Sequence, residues 1–103
     1  MKALCWTGVN KLTTEQVSEP RLINDTDAIV KVGLSSVCGS DLHLLGGYIP
    51  TMQAGDIIGH EFMGEVVDVG SGVKTLSVGD RVVVISVIGC GHCKYCLTKQ
   101  WSL

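Results

Sequence analysis

Thirteen glycines divide this chain of 103 residues into short segments, and that spacing limits what it can fold into. Runs rich in β-branched residues lie between them at 28–34, 65–69 and 81–85. Such runs predict strands, because β-branched side chains pack well on a pleated sheet. Gly8 and Gly70 each open a short connection between two of the expected strands. We therefore predict a mostly β fold, in the form of a small and partly open barrel.

A helical pattern is confined to residues 39–45, where leucines stand at 42, 44 and 45. Ser40 is placed to cap this segment, because a serine side chain can accept a hydrogen bond from a free backbone N–H of the first helical turn. We expect one or two short helical turns in an otherwise β-rich domain.

The composition excludes several classes of function. Net charge is −2 and aromatic residues make up 5% of the chain, which leaves no basic or stacking surface for nucleic acid. The longest apolar run covers residues 82–85, far short of the ~20 residues of a membrane span. The N-terminus lacks a secretory apolar segment, so we expect a cytoplasmic protein. Because 46% of residues are hydrophobic, we also expect part of the surface to be covered by another part of a larger protein, or by a second copy.

Two segments, 38–43 and 59–64, hold three of the ligand types that zinc uses. Cys38 supplies a thiol, His60 an imidazole and Glu61 a carboxylate. A catalytic zinc needs about three protein ligands and one open position. Either segment alone is more typical of a buried structural cysteine or of a polar entrance to a strand than of a metal site. Their combination favours a metal site.

Three polar residues accompany Cys38 on the same short turn. Asp41 is a candidate acceptor for the ring N–H of His60, which would fix the tautomer that presents the other nitrogen to a metal. It would also suit the N-terminus of a helix. Ser40 and His43 are candidates to pass a proton towards water. A solvent-exposed surface role is the alternative for His43.

A second metal site is predicted by Cys90, Cys93 and Cys96, with two residues between each cysteine and the next. A structural zinc is closed by four ligands, and this group supplies three thiolates. His92 stands between two of them and is expected to point away, so we expect the fourth ligand beyond Leu103. A reduced cysteine-rich loop and a redox dithiol are the alternatives.

Taken together, Cys38-Gly39-Ser40-Asp41, Gly59-His60-Glu61-x-x-Gly64 and the three-cysteine group resemble the zinc-dependent medium-chain alcohol dehydrogenases. The threonine, polyol and formaldehyde dehydrogenase branches are the most similar. The resemblance implies a GroES-like barrel as the N-terminal catalytic domain, followed by a Rossmann domain that binds NAD or NADP. Residues 1–103 would then be an incomplete catalytic domain of a protein that forms a homo-oligomer when full length.

The resemblance also assigns roles to single residues. It implies catalytic zinc ligation by Cys38 and His60, alternating ligation by Glu61, orientation of His60 by Asp41, proton transfer by Ser40 and His43, and structural zinc ligation by Cys90, Cys93 and Cys96. The implied reaction oxidises a small-molecule alcohol to an aldehyde or ketone through a zinc-bound alkoxide. We expect the fragment alone to be inactive. The alternative is a non-catalytic β-barrel binding module stabilised by zinc.

Overall fold

The computed structural model describes residues 1–101 and contains five strands and two short helices. Their bounds, in chain order, are β1 Lys2–Gly8, β2 Lys11–Gln16, β3 Ala28–Ser35, α1 Gly39–Leu45, β4 Phe62–Val69, β5 Arg81–Val84 and α2 Lys94–Leu97. Strands dominate over helices, which confirms the predicted mostly β class.

The strands form two separate antiparallel sheets. Strands β1 and β2 make a hairpin, and β3, β4 and β5 follow one another in the second sheet. The hairpin turns at Asn10, whose φ of 56° is left-handed. An isolated bridge joins Cys5 of β1 to Ile57. Within residues 1–101 the sheets do not close on each other, in agreement with a partly open barrel.

The helical prediction was correct in its bounds and wrong in its cap. Helix α1 begins at Gly39, and its N-cap is Cys38 instead of Ser40. The backbone N–H of Ser40 donates to the Cys38 sulfur over 3.4 Å, and the backbone N–H of Cys38 donates to the Asp41 carboxylate over 2.9 Å. This reciprocal arrangement is a capping box built on a thiol. Helix α2 has four residues, too few for a periodic signal in the sequence.

Gly64 allows β3 and β4 to pair closely. A Cβ atom at this position would collide with the backbone carbonyl of Lys31 in β3. The two strands can therefore pair this closely only if residue 64 has no side chain. The segment that carries His60 leads directly into β4, so this close pairing also fixes the position of His60 relative to β3.

Little of the apolar surface is buried. Cys5 and Val66 are fully buried, whereas Leu34, Val83 and Ile85 are 68%, 71% and 66% exposed. This agrees with the expectation that another part of a larger protein, or a second copy, covers part of this surface. No helix among the described residues has the length and apolar character needed to cross a membrane.

Candidate metal and catalytic site

The side chains of Cys38 and His60 meet although 22 residues separate them. Cys38 follows β3 and His60 precedes β4, and these two strands are paired. The pairing continues past the strand ends, because the backbone N–H of Ser36 donates to the carbonyl of Glu61 over 2.9 Å. As a result the Cys38 sulfur lies 3.1 Å from Nε2 of His60.

Asp41 completes this group from the first turn of α1. Its Oδ1 atom lies 3.2 Å from Nδ1 of His60, while Oδ2 accepts the N–H of Cys38. Asp41 is buried, and Oδ1 has no aligned hydrogen-bond donor within the described part of the chain. A buried carboxylate oxygen without a donor is costly. A proton on Nδ1 of His60 is the donor within reach, and that tautomer leaves the lone pair of Nε2 facing the Cys38 sulfur.

This geometry fits a zinc ion. Ligand atoms of Cys38, Asp41 and His60 all lie within 4.8 Å of one another. The 3.1 Å between sulfur and nitrogen is inside the roughly 4.4 Å that the two zinc bonds would sum to. Thiolate and imidazole are also ligands that zinc prefers. The oxygen of Asp41 is better placed to accept a hydrogen bond from His60 than to bind the metal, because it contacts the ring nitrogen that faces away from Cys38.

Ser40 and His43 lie beside His60 on the wall of an open pocket of about 490 Å³. They are three residues apart on α1, so their side chains share one face of the helix. Both are exposed. The structure therefore brings the two predicted proton-transfer residues to the same pocket as His60, with room for a small molecule between them.

Glu61 is placed differently from the other predicted ligands. It lies between His60 and the first residue of β4. His60 lines the pocket with Ser40 and His43, whereas Glu61 lines two other pockets. Its carboxylate is not among the atoms that converge on Cys38 and His60. Metal ligation by Glu61 stays a prediction that this arrangement of the side chain does not support.

The three cysteines of the second group also converge. The sulfurs of Cys90, Cys93 and Cys96 lie within 4.8 Å of one another, and those of Cys90 and Cys96 are 4.0 Å apart. His92 stands outside this group: its Nδ1 atom lies 2.8 Å from the carbonyl oxygen of Cys90, a hydrogen bond in which the ring donates. The three thiols are free, and the loop holds them in position without a disulfide.

The electrostatics of this group suit a cation. Backbone N–H groups of His92 and Cys93 point at the Cys90 sulfur and lower its pKa to about 6. The pKa of Cys96 is raised: the N–H of Gly91 lowers it, but the side chain of Cys93, burial and the charge of Cys90 together outweigh that effect. Three neighbouring thiolates repel one another, and a bound divalent cation removes that cost.

No pattern in the sequence points to the rest of the pocket wall. Tyr48, Ile49 and Ser86 line the pocket with His60. Ser86 comes from the chain after β5, and Tyr48 from the turn after α1. None of these residues follows a ligand spacing or a strand period. Only the tertiary arrangement brings them beside Ser40 and His43.

Comparisons with known proteins agree with this geometry. The sequence profile described as "Alcohol dehydrogenase GroES-like domain" matches residues 24–103. An uncharacterised zinc-type alcohol dehydrogenase-like protein of Bacillus subtilis is 46% identical over 102 residues, which cover 99% of this chain and 27% of that protein. A D-arabitol-phosphate dehydrogenase of Enterococcus avium is 36% identical over 97 residues, which cover 93% of this chain and 27% of that protein.

The fold is shared with solved structures. An alcohol dehydrogenase from Thermus sp. ATN1 superposes with a TM-score of 0.92 at 42% identity, over 99% of this chain and 29% of that one. The chain thus spans about a quarter of the length of the relatives it matches.

Proposed function

This chain belongs to the family of alcohol dehydrogenase GroES-like domains, and on that premise we propose that it is the N-terminal part of the catalytic domain of a zinc-dependent alcohol dehydrogenase. The observation that carries the proposal is the meeting of Cys38, His60 and Asp41 beside an open pocket. The substrate class is a small-molecule alcohol, oxidised to an aldehyde or ketone with NAD or NADP as the hydride acceptor. Residues 1–103 are then an incomplete catalytic domain, and the nucleotide-binding domain is a separate part of the whole enzyme.

The metal would be held by Cys38 as thiolate and by His60 through Nε2. Zinc held by these two side chains would supply a Lewis acid, which would lower the pKa of an alcohol hydroxyl towards neutrality. Asp41 orients the ring of His60 through Nδ1, over the 3.2 Å contact, and keeps Nε2 free of a proton. Its second oxygen ties the backbone N–H of Cys38 to the same carboxylate. One buried side chain therefore positions both ligands.

Ser40 and His43 would carry the proton away from the substrate. The hydroxyl of Ser40 is exposed at the pocket wall and can accept the proton of the alcohol while passing its own to His43. His43 is exposed to solvent, and an imidazole exchanges protons with water near neutral pH. The side chains thus make a path from the pocket to bulk water along one face of α1.

Cys90, Cys93 and Cys96 would hold a second zinc with a structural role. Their sulfurs already converge, and a metal would fix the loop 90–93 to helix α2, which carries Cys96. Because a structural zinc contributes to folding, the ion would add to the order of this loop. The fourth ligand that closes such a site is proposed to come from the part of the enzyme beyond this chain.

The proposal is tested with the whole dehydrogenase that contains this chain. Cys38→Ala and His60→Ala are expected to abolish alcohol-dependent reduction of NAD(P), by at least about 1000-fold, because the hydroxyl would lose its Lewis acid. His92→Ala is the matched control, since that ring stands outside both groups of ligands. Turnover that survives in the Cys38 and His60 variants would contradict the proposal. A wild-type protein that binds zinc and shows no alcohol-dependent turnover would favour a zinc-stabilised binding module instead.

A further inference from the structure

The turn after helix α1 carries an aromatic residue that touches the proposed proton path. The rings of Tyr48 and His43 lie edge to face, with centroids 5.8 Å apart and planes at 73°. The backbone N–H of Tyr48 also donates to the carbonyl of His43 over 3.1 Å. Side chain and backbone therefore link the same two residues across the end of α1.

The space that the tyrosine ring occupies exists because residue 46 is glycine. A Cβ atom at Gly46 would lie 2.6 Å and 2.9 Å from two ring carbons of Tyr48. The backbone of Gly46 has φ −70° and ψ −5°, which any residue can adopt. Glycine is thus required here for the contact with the ring and not for the backbone conformation.

Burial does not explain the position of the ring. Tyr48 is 74% exposed, and its side chain lines the pocket together with Ser40, His43 and His60. An exposed ring gains little from the hydrophobic effect, so its contacts with Gly46 and His43 are what hold it. In turn, the ring limits the directions that the exposed imidazole can take.

We propose that Tyr48 is a positioning residue for the proton path: its ring, seated on Gly46, holds the imidazole of His43 towards Ser40. This inference rests on the proposed function, because it acts through the role of His43 given there. It assigns no chemical step to Tyr48 itself. The contribution comes from the aromatic ring, and the phenolic hydroxyl is not needed for it.

The kinetic test uses the whole dehydrogenase and a double-mutant cycle. Tyr48→Leu should lower kcat by about 2- to 10-fold, the range that an edge-to-face aromatic pair supports, and change KM less. Tyr48→Phe keeps the ring and should restore the wild-type kcat within about twofold. Gly46→Ala keeps the tyrosine but displaces its ring, so it should resemble Tyr48→Leu. In a His43→Ala background, Tyr48→Leu should cause no further loss.

Two results would overturn the inference. One is an equal loss from Tyr48→Leu with and without His43, which would mean that the tyrosine acts on the substrate or the fold. The other is a wild-type kcat in Tyr48→Leu and Gly46→Ala. Both leave the proposed function standing, because wild-type turnover is measured in the same experiment.

A second readout does not depend on turnover. In histidine-labelled protein, the ring-proton NMR resonances of His43 should shift in Tyr48→Leu and stay in place in Tyr48→Phe, because an aromatic neighbour changes the local magnetic field. Resonances that are identical in wild type, Tyr48→Leu and Tyr48→Phe would show that the rings are not in contact and would overturn the inference. If the wild-type enzyme is inactive while the shift is seen, the proposed function fails and the contact between the rings stands.

Discussion

Nε2 of His60 lies 3.1 Å from the sulfur of Cys38, and the pairing of strands β3 and β4 is what brings them there. Ser35 pairs with Phe62 at the end of the ladder, and one more backbone hydrogen bond, from Ser36 to Glu61, extends it. Each ligand thus sits at most two residues beyond paired backbone. A metal bound by both side chains would join the two ends of the segment 39–59, which the paired strands β3 and β4 already hold close together.

The orienting role of Asp41 predicts a defect in metal affinity. Asp41→Asn keeps an oxygen that can cap Cys38 but removes the negative charge beside Nδ1 of His60. We expect zinc at the Cys38 and His60 site to bind about 10- to 100-fold more weakly. Competition with a chromophoric chelator in the whole enzyme measures this affinity directly.

A matched control is Asp56→Asn. Its carboxylate accepts the backbone N–H of Gln53 over 2.8 Å in a turn, in the way that Asp41 accepts that of Cys38. Zinc affinity should be unchanged in this variant. If Asp41→Asn also retained wild-type affinity, Asp41 would be a helix cap and nothing more.

The close pairing at Gly64 predicts a large loss of stability on adding a single methyl group. In Gly64→Ala the new Cβ meets the carbonyl of Lys31, and the backbone of β3 or β4 has to shift. We expect the free energy of unfolding to fall by about 1–3 kcal/mol or more. Urea denaturation followed by circular dichroism provides the measurement.

Gly33→Ala is the control for this substitution. Gly33 lies in β3, and a Cβ there would have the Met63 carbonyl as its nearest neighbour at 3.9 Å, an ordinary contact. The free energy of unfolding of Gly33→Ala should stay close to that of the wild type. Equal losses in the two variants would indicate a general intolerance of alanine in this sheet, and the explanation from the Lys31 carbonyl would be wrong.

The sequence predicted those parts of the site that depend on local spacing. The turn of Cys38, Asp41 and His43, and the group at 90–96, follow from short-range patterns that the structure reproduces. The cap of α1 was assigned to Ser40 because a serine is a stronger cap than a thiol, but the N-cap is Cys38, two residues earlier. Tyr48 was missed because an edge-to-face contact over a glycine leaves no periodic trace. Metal ligation by Glu61, expected from its carboxylate beside His60 and from the family resemblance, stays a prediction.

The connection before β3 predicts a pH-dependent stability. Backbone N–H groups of Asn24 and Ile23, followed by the side-chain amide of Asn24, donate to the Asp27 carboxylate and lower its pKa from 3.8. Because the pKa is lower in the folded state than in the unfolded state, the carboxylate stabilises the fold at pH values above its unfolded-state pKa. That stabilisation is lost as the pH falls through the folded pKa.

Asp27→Asn should therefore be less stable than wild type near neutral pH. The difference should disappear as the pH falls well below 3.8, where both side chains are uncharged. Free energies of unfolding measured in urea across that pH range check the prediction. Glu15→Gln, an exposed carboxylate on β2, is the control for loss of charge alone. A difference between Asp27→Asn and wild type that does not change with pH would contradict the account.

Gly89 predicts selective damage to the second metal site. A Cβ atom there would lie 3.2 Å from the Cys96 sulfur and 3.6 Å from the ring of Trp101. In Gly89→Ala the Cys96 sulfur has to shift by a few tenths of an ångström, whereas the contact with Trp101 is an ordinary one. We expect zinc held by the three cysteines to bind roughly 10-fold more weakly, which corresponds to about 1.4 kcal/mol. Chelator competition should resolve this from an unchanged site at Cys38 and His60. Weakening of both sites together would contradict the assignment.

The most direct test of the central claim is the zinc content of the whole dehydrogenase, measured by elemental mass spectrometry after dialysis. The wild-type enzyme should hold about two zinc ions per chain, and Cys38→Ala and His60→Ala should each hold about one, retained by Cys90, Cys93 and Cys96. Two zinc ions per chain in both variants would show that Cys38 and His60 share no metal, and would contradict the account.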